Sequence, residues 1–214
     1  MAEQKNADTG HGHDYESHHD GHGHDHEHGH DDHEHGHDAH THGHDDHKHG
    51  HHHHDVETVG VAIVTVSTTR SLDDDPAGDA IAEAFEGAGH TVATRELIDD
   101  NFDGIQQTVD RLVGRDDVNV VVTTGGTGVT PDDVTIEAIS PLMEKELPGF
   151  GELFRRLSFD EIGTRVVGTR AAAGIADGVP VFALPGSENA ACLGANEVIV
   201  PEVGHLAGLA KRDA

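Results

Sequence analysis

Three stretches of the chain are apolar at almost every position and rich in β-branched residues, namely residues 59–66, 118–123 and 179–184. Such uninterrupted runs are typical of strands that are covered on both faces, as in a parallel sheet packed between helices. Residues 90–98 are predicted to form a further strand.

Segments with helical periodicity separate these strands. Apolar residues recur at helical spacing in two segments that each end at glycine, residues 76–88 and 102–113. A longer helical region is predicted over residues 133–163, interrupted at Pro141 and Pro148, and a last helix begins near Asn189. The order of elements predicts an α/β fold with a doubly wound, mostly parallel sheet and helices on both faces.

Residues 1–55 have a different composition from the rest of the chain. They contain 21 of the 23 histidines and 14 of the 41 acidic residues, with only Lys5 and Lys48 as bases. So few apolar side chains cannot offset the entropy lost on folding. Residues 1–55 are therefore predicted to be a disordered tail, and residues 56–214 a single α/β domain.

The tail repeats the unit His-Gly-His-Asp, which suggests metal binding because imidazole is a common ligand for Ni²⁺, Zn²⁺ and Cu²⁺. A passive solvated tail is the alternative, and an expression tag would explain the last four histidines alone. The candidate ligands are His11, His13, His22, His24, His28, His30, His35, His37, His42, His44, His51, His52, His53 and His54.

Residues 56–214 carry 27 acidic and 11 basic side chains, a net charge of −16, and their lysines are Lys145 and Lys211. This balance indicates a halophilic origin, with an ordinary acidic cytosolic protein as the alternative. It argues against nucleic acid as a partner. The lone Cys192 excludes an internal disulfide, and neither a membrane span nor a secretory signal is visible, so we expect a cytoplasmic location.

A loop rich in glycine and threonine, Thr123–Gly128, follows the third apolar strand. Consecutive glycines let backbone N–H groups approach an anion, although tight turns produce the same composition. The loop lacks the Gly-Lys-Ser/Thr sequence of a Walker A motif.

Carboxylates follow two of the predicted strands, as Asp132-Asp133 beyond the glycine loop and as Asp99-Asp100 after residues 90–98. Each pair could be only a helix cap or a turn. Beside a phosphate-binding loop, however, carboxylates are well placed to hold Mg²⁺. A third loop, Leu184–Ser187, ends another buried strand at the same expected edge.

Four segments of this sequence resemble the MoaB/Mog-type molybdopterin adenylyltransferase family, and its MoaB branch in particular. They are TTGGTGVTPDDVT (123–135), LPGFGELFRRLSFDEIGT (147–164), LPGS (184–187) and VSTTRSLDDDPAGDAIAEAFEGAGH (66–90). The resemblance covers about residues 59–210.

The resemblance implies transfer of AMP from Mg-ATP to the terminal phosphate of molybdopterin, with release of pyrophosphate. Asp133 and Asp100 would be catalytic and would hold Mg²⁺, with Asp99 as the fallback for Asp100. The implied substrate-binding residues are Ser67, Thr124, Gly125, Gly126, Thr127, Gly128, Pro185, Gly186 and Ser187. A homotrimer or hexamer is also implied, along with contact with other proteins of molybdenum or tungsten cofactor biosynthesis.

Two other classes of function compete with adenylyl transfer. One is a non-catalytic molybdopterin-binding protein, because Val129–Asp132 departs from the pattern of Mog-type proteins; the other is a metal-handling protein that uses the tail. Arg155, Arg156 and Arg170 could meet substrate phosphate or simply form surface pairs. Cys192 is expected to be a small buried side chain.

Overall fold

A six-stranded sheet forms the centre of the computed structural model, which describes residues 55–211. Its strands are β1 (Gly60–Val66), β2 (Thr91–Ile98), β3 (Val120–Thr124), β4 (Lys145–Glu146), β5 (Ala172–Ala176) and β6 (Val179–Leu184). The order across the sheet is β2-β1-β3-β6-β5-β4. Strands β2, β1, β3 and β6 run parallel, whereas β5 is antiparallel to both of its neighbours.

Within the described part of the chain, six α-helices accompany the sheet: α1 (Pro76–Gly87), α2 (Phe102–Val113), α3 (Thr135–Ile139), α4 (Pro148–Ile162), α5 (Glu188–Gly194) and α6 (Val200–Ala210). A π-helical segment, Ala195–Ile199, joins α5 to α6. Short 3₁₀ segments follow α3 and α4, at Ser140–Leu142 and Gly163–Gly168.

Two hydrophobic cores lie on opposite faces of the sheet, because β1 is buried at every position and its side chains alternate between the faces. Val61 and Ile63 belong to the core that α1, α4, α5 and α6 cover. Ala62 and Val64 belong to the core beneath α2 and α3. The expected doubly wound, mostly parallel sheet with helices on both faces is confirmed.

Side-chain caps begin the first two helices near the predicted positions. The Asp75 carboxylate accepts a hydrogen bond from Gly78 N at 3.1 Å at the start of α1. The Asn101 side chain accepts one from Gly104 N at 2.7 Å at the start of α2. These caps satisfy N–H groups that have no partner within the helix.

The long helical region expected over residues 133–163 is wrong in its first half, because strand β4 separates the short α3 from α4. Pro148 starts α4 instead of interrupting a helix. The antiparallel strand β5 was not predicted at all. Its Gly174 lies against β4 so closely that a Cβ there would come within 2.6 Å of the Lys145 carbonyl oxygen.

Cys192 is exposed on α5, so the expectation of a buried thiol is wrong. Its carbonyl oxygen and Sγ accept hydrogen bonds from the Asn196 side chain at 3.0 and 3.4 Å. None of the helices between residues 55 and 211 is long and apolar enough to cross a membrane. The histidine candidates of the tail lie outside the described residues.

Candidate functional site at the carboxyl edge of the sheet

The glycine loop begins where β3 ends, beside the carboxyl ends of β1 and β6. Gly125 and Gly126 have φ angles of 101° and 62°, in the left-handed region that favours glycine. A Cβ on Gly125 would lie 2.2 Å from the Val66 carbonyl oxygen, and Gly125 N donates to the Leu184 carbonyl at 3.1 Å. The glycines therefore allow the loop to lie directly against two neighbouring strand ends.

Thr135, the first residue of α3, fixes the loop from its other end. Its N–H donates to the Gly126 carbonyl at 2.9 Å, and its hydroxyl donates to the Gly125 carbonyl at 2.9 Å. The side chain is fully buried. The sequence analysis did not single out this residue, although it belongs to the quoted Asp-Val-Thr segment.

Asp133 lies in the turn before α3, next to the glycine loop. Its Oδ2 accepts hydrogen bonds from Thr130 N at 2.8 Å and from the Thr130 hydroxyl at 2.6 Å. A Cβ on Gly128 would lie 2.6 Å from the same oxygen. These hydrogen bonds, above all the one from the Thr130 hydroxyl, lower the pKa of Asp133. The carboxylate is therefore held in its ionised form beside the loop.

Asp100, in the loop after β2, lies against another glycine of the same loop, Gly126. A Cβ on Gly126 would lie 2.6 Å from Asp100 Oδ1. That oxygen is buried and has no hydrogen-bond partner among residues 55–211. Burial raises the pKa of Asp100, with further contributions from the negative charges of Asp133, Asp132 and Asp99. Asp99 itself is exposed to solvent.

The two carboxylates fit a magnesium ion that arrives with phosphate. Mg²⁺ is commonly held by one or two protein carboxylates, with substrate phosphate oxygens and water completing its coordination. Within residues 55–211 no group of three or more His, Cys, Asp or Glu side chains could form a complete metal cage. The unpartnered, buried Asp100 Oδ1 is the kind of oxygen that a cation would satisfy.

The loop after β6 is the third loop of the site and lies next to the glycine loop. The Thr124 hydroxyl donates to the Pro185 carbonyl at 3.0 Å, and a Cβ on Gly186 would lie 3.1 Å from Gly125 Cα. Ser187 caps α5 by accepting a hydrogen bond from Ala190 N at 3.4 Å. The expected residues of this loop therefore lie next to the glycine loop, and Thr124 joins the two loops from inside.

A cavity of about 420 Å³ opens beside this third loop. One wall consists of residues from the second half of α4, and the other consists of the start of α5. The lining includes Phe154, Ser158, Ile162, Pro185, Ser187 and Asn189. Its lining is mainly apolar and also carries hydroxyl and amide groups and the carboxylates of Glu161 and Glu188, which suits a flat, partly polar ring system with hydrogen-bond donors.

Comparison with known proteins identifies the family. The sequence profile described as "Probable molybdopterin binding domain" matches residues 62–205. The molybdenum cofactor biosynthesis protein B of Bacillus anthracis is 46% identical over 145 residues, which is 67% of this chain and 86% of that protein. The protein of the same name from Halalkalibacterium halodurans is 42% identical over 151 residues, or 70% and 89% of the two chains.

Solved structures agree with these sequence matches. A crystal structure of a molybdenum cofactor biosynthesis protein B superposes with a TM-score of 0.71 at 43% identity, covering 73% of this chain and 98% of that one. The tungsten cofactor synthesizing protein MoaB from Pyrococcus furiosus gives 0.66 at 37% identity, covering 73% and 99%. The chain belongs to the MoaB branch of the molybdopterin-binding domain family. A role in molybdenum cofactor biosynthesis follows from this membership.

Two arginines lie at the site of this MoaB-type protein. Arg70, which the sequence analysis missed, donates from Nη2 to the Gly186 carbonyl at 2.9 Å. It stands three residues beyond Ser67, whose hydroxyl accepts hydrogen bonds from the backbone N–H groups of Thr69 and Arg70, both at 3.3 Å. A basic residue just after a predicted strand end was the available signal for Arg70.

Arg170 contacts the glycine loop itself, through the Thr127 carbonyl, and also pairs with Glu137. Arg155 instead lines a separate cavity of about 220 Å³ with Met143 and Glu146. The structure therefore places Arg170 at the candidate site, as it does Arg70, and places Arg155 elsewhere.

Proposed function

We propose that this MoaB-type protein transfers AMP from Mg-ATP to the terminal phosphate of molybdopterin, releasing pyrophosphate. The observation that carries the proposal is the placement of two carboxylates, Asp100 and Asp133, against Gly126 and Gly128 of one glycine loop. One of them presents a buried oxygen without a partner. The adenylylated product would be ready to receive molybdate or tungstate.

The glycine loop is suited to bind phosphate groups. Its carbonyl oxygens at Gly125 and Gly126 are already engaged by Thr135, at 2.9 Å in each case. The N–H of Gly125 donates to the Leu184 carbonyl and that of Gly128 to the Asp133 carboxylate, so the N–H groups of Gly126 and Thr127 are the loop's candidate donors to phosphate. Amide donors fixed in this way stabilise negative charge without reorganising during the reaction.

Asp100 and Asp133 would hold Mg²⁺ between the glycine loop and the phosphate chain of ATP. Bound there, the ion supplies neutralisation of the phosphate charge and polarisation of the α-phosphate. The lowered pKa of Asp133 keeps this ligand ionised. Burial, and after it the neighbouring negative charges, raise the pKa of Asp100, and a bound cation would offset both effects.

The chemical step needs no general base from the protein. An ionised oxygen of the molybdopterin phosphate attacks the α-phosphorus, a new P–O bond forms, and the bond from that phosphorus to the α,β-bridging oxygen breaks. The electron pair leaves with pyrophosphate. Like phosphoryl transfer, adenylyl transfer depends on positioning of the reactants and on neutralisation of the phosphate charge. This agrees with the described histidines, since His90 packs on Phe85 and His205 pairs with Asp55.

The pterin would occupy the cavity beside Pro185 and Ser187, at the border of the phosphate-binding loop. Binding there would place the terminal phosphate of molybdopterin toward Gly186 and Gly125, which lie against each other. Arg70 stands at the same point through its hydrogen bond to the Gly186 carbonyl.

The test is an assay of pyrophosphate release from Mg-ATP that depends on added molybdopterin. Asp133→Asn should still bind molybdopterin but lose adenylyl transfer by about 100-fold or more, because a neutral amide no longer balances the charge of Mg²⁺. Turnover near that of the wild type in saturating Mg-ATP would remove Asp133 from the mechanism. Molybdopterin binding without any turnover by the wild-type protein would instead favour a non-catalytic binding protein.

A further inference from the structure

Arg170 occupies a position between three parts of the candidate site. It lies in the segment between the 3₁₀ turn that ends at Gly168 and strand β5. Its Nε donates to the Thr127 carbonyl at 3.2 Å, and its Nη2 donates to the Asp133 carbonyl at 3.0 Å. Both of its terminal nitrogens also pair with the carboxylate of Glu137 on α3. One guanidinium therefore connects the glycine loop, the aspartate turn and the following helix.

The aspartate turn, residues 129–134, is anchored at its end, where Val134 packs against the core beneath α2 and α3, while the rest of the turn is open to solvent. It borders an open cavity of about 420 Å³, and Val129 at its tip is 76% exposed. Its own hydrogen bonds are local, since Asp133 N donates to the Thr130 carbonyl at 3.1 Å and Thr130 N donates to Asp133 Oδ2. Thr135 links the end of the turn to Gly125 and Gly126, and Arg170 is the side chain from outside these segments that joins the glycine loop to Asp133.

From these contacts we infer that Arg170 is a positioning residue, which holds Asp133 and the glycine loop at the separation that Mg²⁺ and phosphate require. The inference rests on the proposed function. The donors of Arg170 are directed to carbonyl and carboxylate groups of the protein, so its role differs from that of an arginine that binds substrate phosphate. Glu137 orients the guanidinium by pairing with it through both carboxylate oxygens.

Lysine cannot replace arginine in such a role, because an ammonium is a point charge and lacks the planar fork of donors. Arg170→Lys keeps the charge and should still lose the simultaneous contacts to Thr127, Asp133 and Glu137. Partners that orient a metal ligand typically change metal affinity or activity by about 10- to 100-fold when they are altered. Mn²⁺ prefers the same carboxylate and water ligands as Mg²⁺ and serves as the probe ion. We expect a loss in that range for both Mn²⁺ affinity and adenylyl transfer.

Three measurements on the full chain test the inference. The first is hydrogen exchange of the amides of residues 125–135, which should become faster in Arg170→Lys while exchange in β1 and β3 is unchanged. The second is the dissociation constant of Mn²⁺ in the presence of a non-hydrolysable ATP analogue. The third is the rate of adenylyl transfer. Glu137→Gln should shift all three in the same direction by a smaller factor.

The matched control is Arg111→Lys, because Arg111 also pairs with a carboxylate, Glu96 at 2.6 Å, but belongs to α2. It should leave all three measurements unchanged. If exchange of residues 125–135 and Mn²⁺ affinity equal those of the wild type in both Arg170→Lys and Glu137→Gln, the inference is wrong. A rise in KM for ATP without faster exchange would show that Arg170 contacts substrate, which also overturns it.

The same experiment separates failure of the inference from failure of the proposed function. Hydrogen exchange and Mn²⁺ binding need no turnover. A wild-type protein that transfers no AMP, yet shows the predicted changes in Arg170→Lys, would refute adenylyl transfer and leave the positioning role intact. If Arg170→Lys fails to fold, Glu137→Gln decides the outcome by the same two measurements.

Discussion

The two aspartates of the site experience opposite environments. Hydrogen bonds from Thr130 lower the pKa of Asp133, whereas burial and neighbouring negative charges raise the pKa of Asp100. Divergence of this kind between two nearby carboxylates is typical of functional sites. In the proposed function, a cation bound at this site would offset the penalty that ionised Asp100 imposes on the metal-free protein.

Asp100→Asn should therefore stabilise the metal-free protein at pH 7. A raised pKa means that ionised Asp100 destabilises the folded state, a penalty that grows as pH rises from the unfolded pKa through the folded one. An uncharged side chain avoids the penalty, so the melting temperature of the variant should exceed that of the wild type at pH 7. Thermal melts in EDTA should show this difference shrinking as the pH is lowered toward about 4, the ordinary pKa of an aspartate, and no further change below it.

Equal melting temperatures at pH 7, or a less stable variant, would show that Asp100 is not strained by its surroundings. Asp110→Asn is the matched control, because Asp110 is an exposed aspartate on α2. It should change neither the melting temperature nor its dependence on pH.

At the scale of elements, the glycine loop depends on backbone conformations that other residues rarely adopt. Gly126→Ala should lower the free energy of unfolding by about 1–3 kcal/mol, because its φ of 62° is strained for alanine. A Cβ there would also lie 2.3 Å from the Thr135 hydroxyl oxygen. Urea denaturation measures the change, and Mn²⁺ affinity should fall in parallel.

Gly87→Ala provides the comparison for this prediction. Gly87 ends α1, and a Cβ there would meet no atom within 4 Å. Alanine is favoured over glycine in a helix by up to about 1 kcal/mol, so this variant should be as stable as the wild type or more so. If Gly126→Ala behaves like Gly87→Ala, the loop is less constrained than its geometry indicates.

The elements that the sequence predicted are those with a strong local signal. Strands β1, β3 and β6 are buried at every position and apolar at most of them, and α1 and α2 carry clear caps and apolar stripes. Strand β4 consists of two exposed residues, and β5 reads Ala-Ala-Gly-Ile-Ala. Neither strand has an alternating pattern or is enriched in β-branched residues. β4 is too short for a pattern, and β5 has small residues where β4 lies close to it.

The residues of the site could also be predicted only where the sequence carries a local signal for their position. Loops after parallel strands converge at one edge of the sheet, so Asp100, Asp133 and the glycines could be expected to meet there. The contacts of Arg70 and Arg170 could not be assigned from the sequence, because each arginine donates to backbone carbonyls that only the folded chain brings within reach. Thr135 is a further case, since its hydroxyl bonds to a carbonyl ten residues earlier.

At the scale of the whole molecule, charge is expected to limit stability. Residues 56–214 carry a net charge of −16. Molar KCl should raise the melting temperature, because the Debye length falls to about 3 Å at 1 M and the self-repulsion is screened. Each kcal/mol regained corresponds to about 2–4 °C for a domain of this size. A melting temperature that is unchanged or lower between about 0.1 and 2 M KCl would contradict the halophilic interpretation.

The histidine-rich tail should bind metal independently of the folded domain. Full-length protein should take up several Ni²⁺, Zn²⁺ or Cu²⁺ ions per chain, each needing about four donors. Binding should weaken below about pH 6, where imidazole becomes protonated. Calorimetric titration at two pH values would measure both effects.

Deletion of residues 1–54 is the control for the tail. It retains the contacts of Asp55 with His205 and of Val56 N with the Gly204 carbonyl, at 2.8 and 3.0 Å. The truncated protein should keep its melting transition and adenylyl transfer but lose most of the bound ions. If it binds as many ions as the full chain, the tail is not the metal site.

The most direct test of adenylyl transfer follows the phosphorus atoms of ATP. Wild-type protein is incubated with molybdopterin, Mg²⁺ and ATP labelled with ³²P at either the α or the γ position, and the products are separated. We predict that the α label appears on molybdopterin and the γ label in pyrophosphate. A γ label on molybdopterin, or an α label that never leaves ATP and its hydrolysis products, would contradict the proposed function.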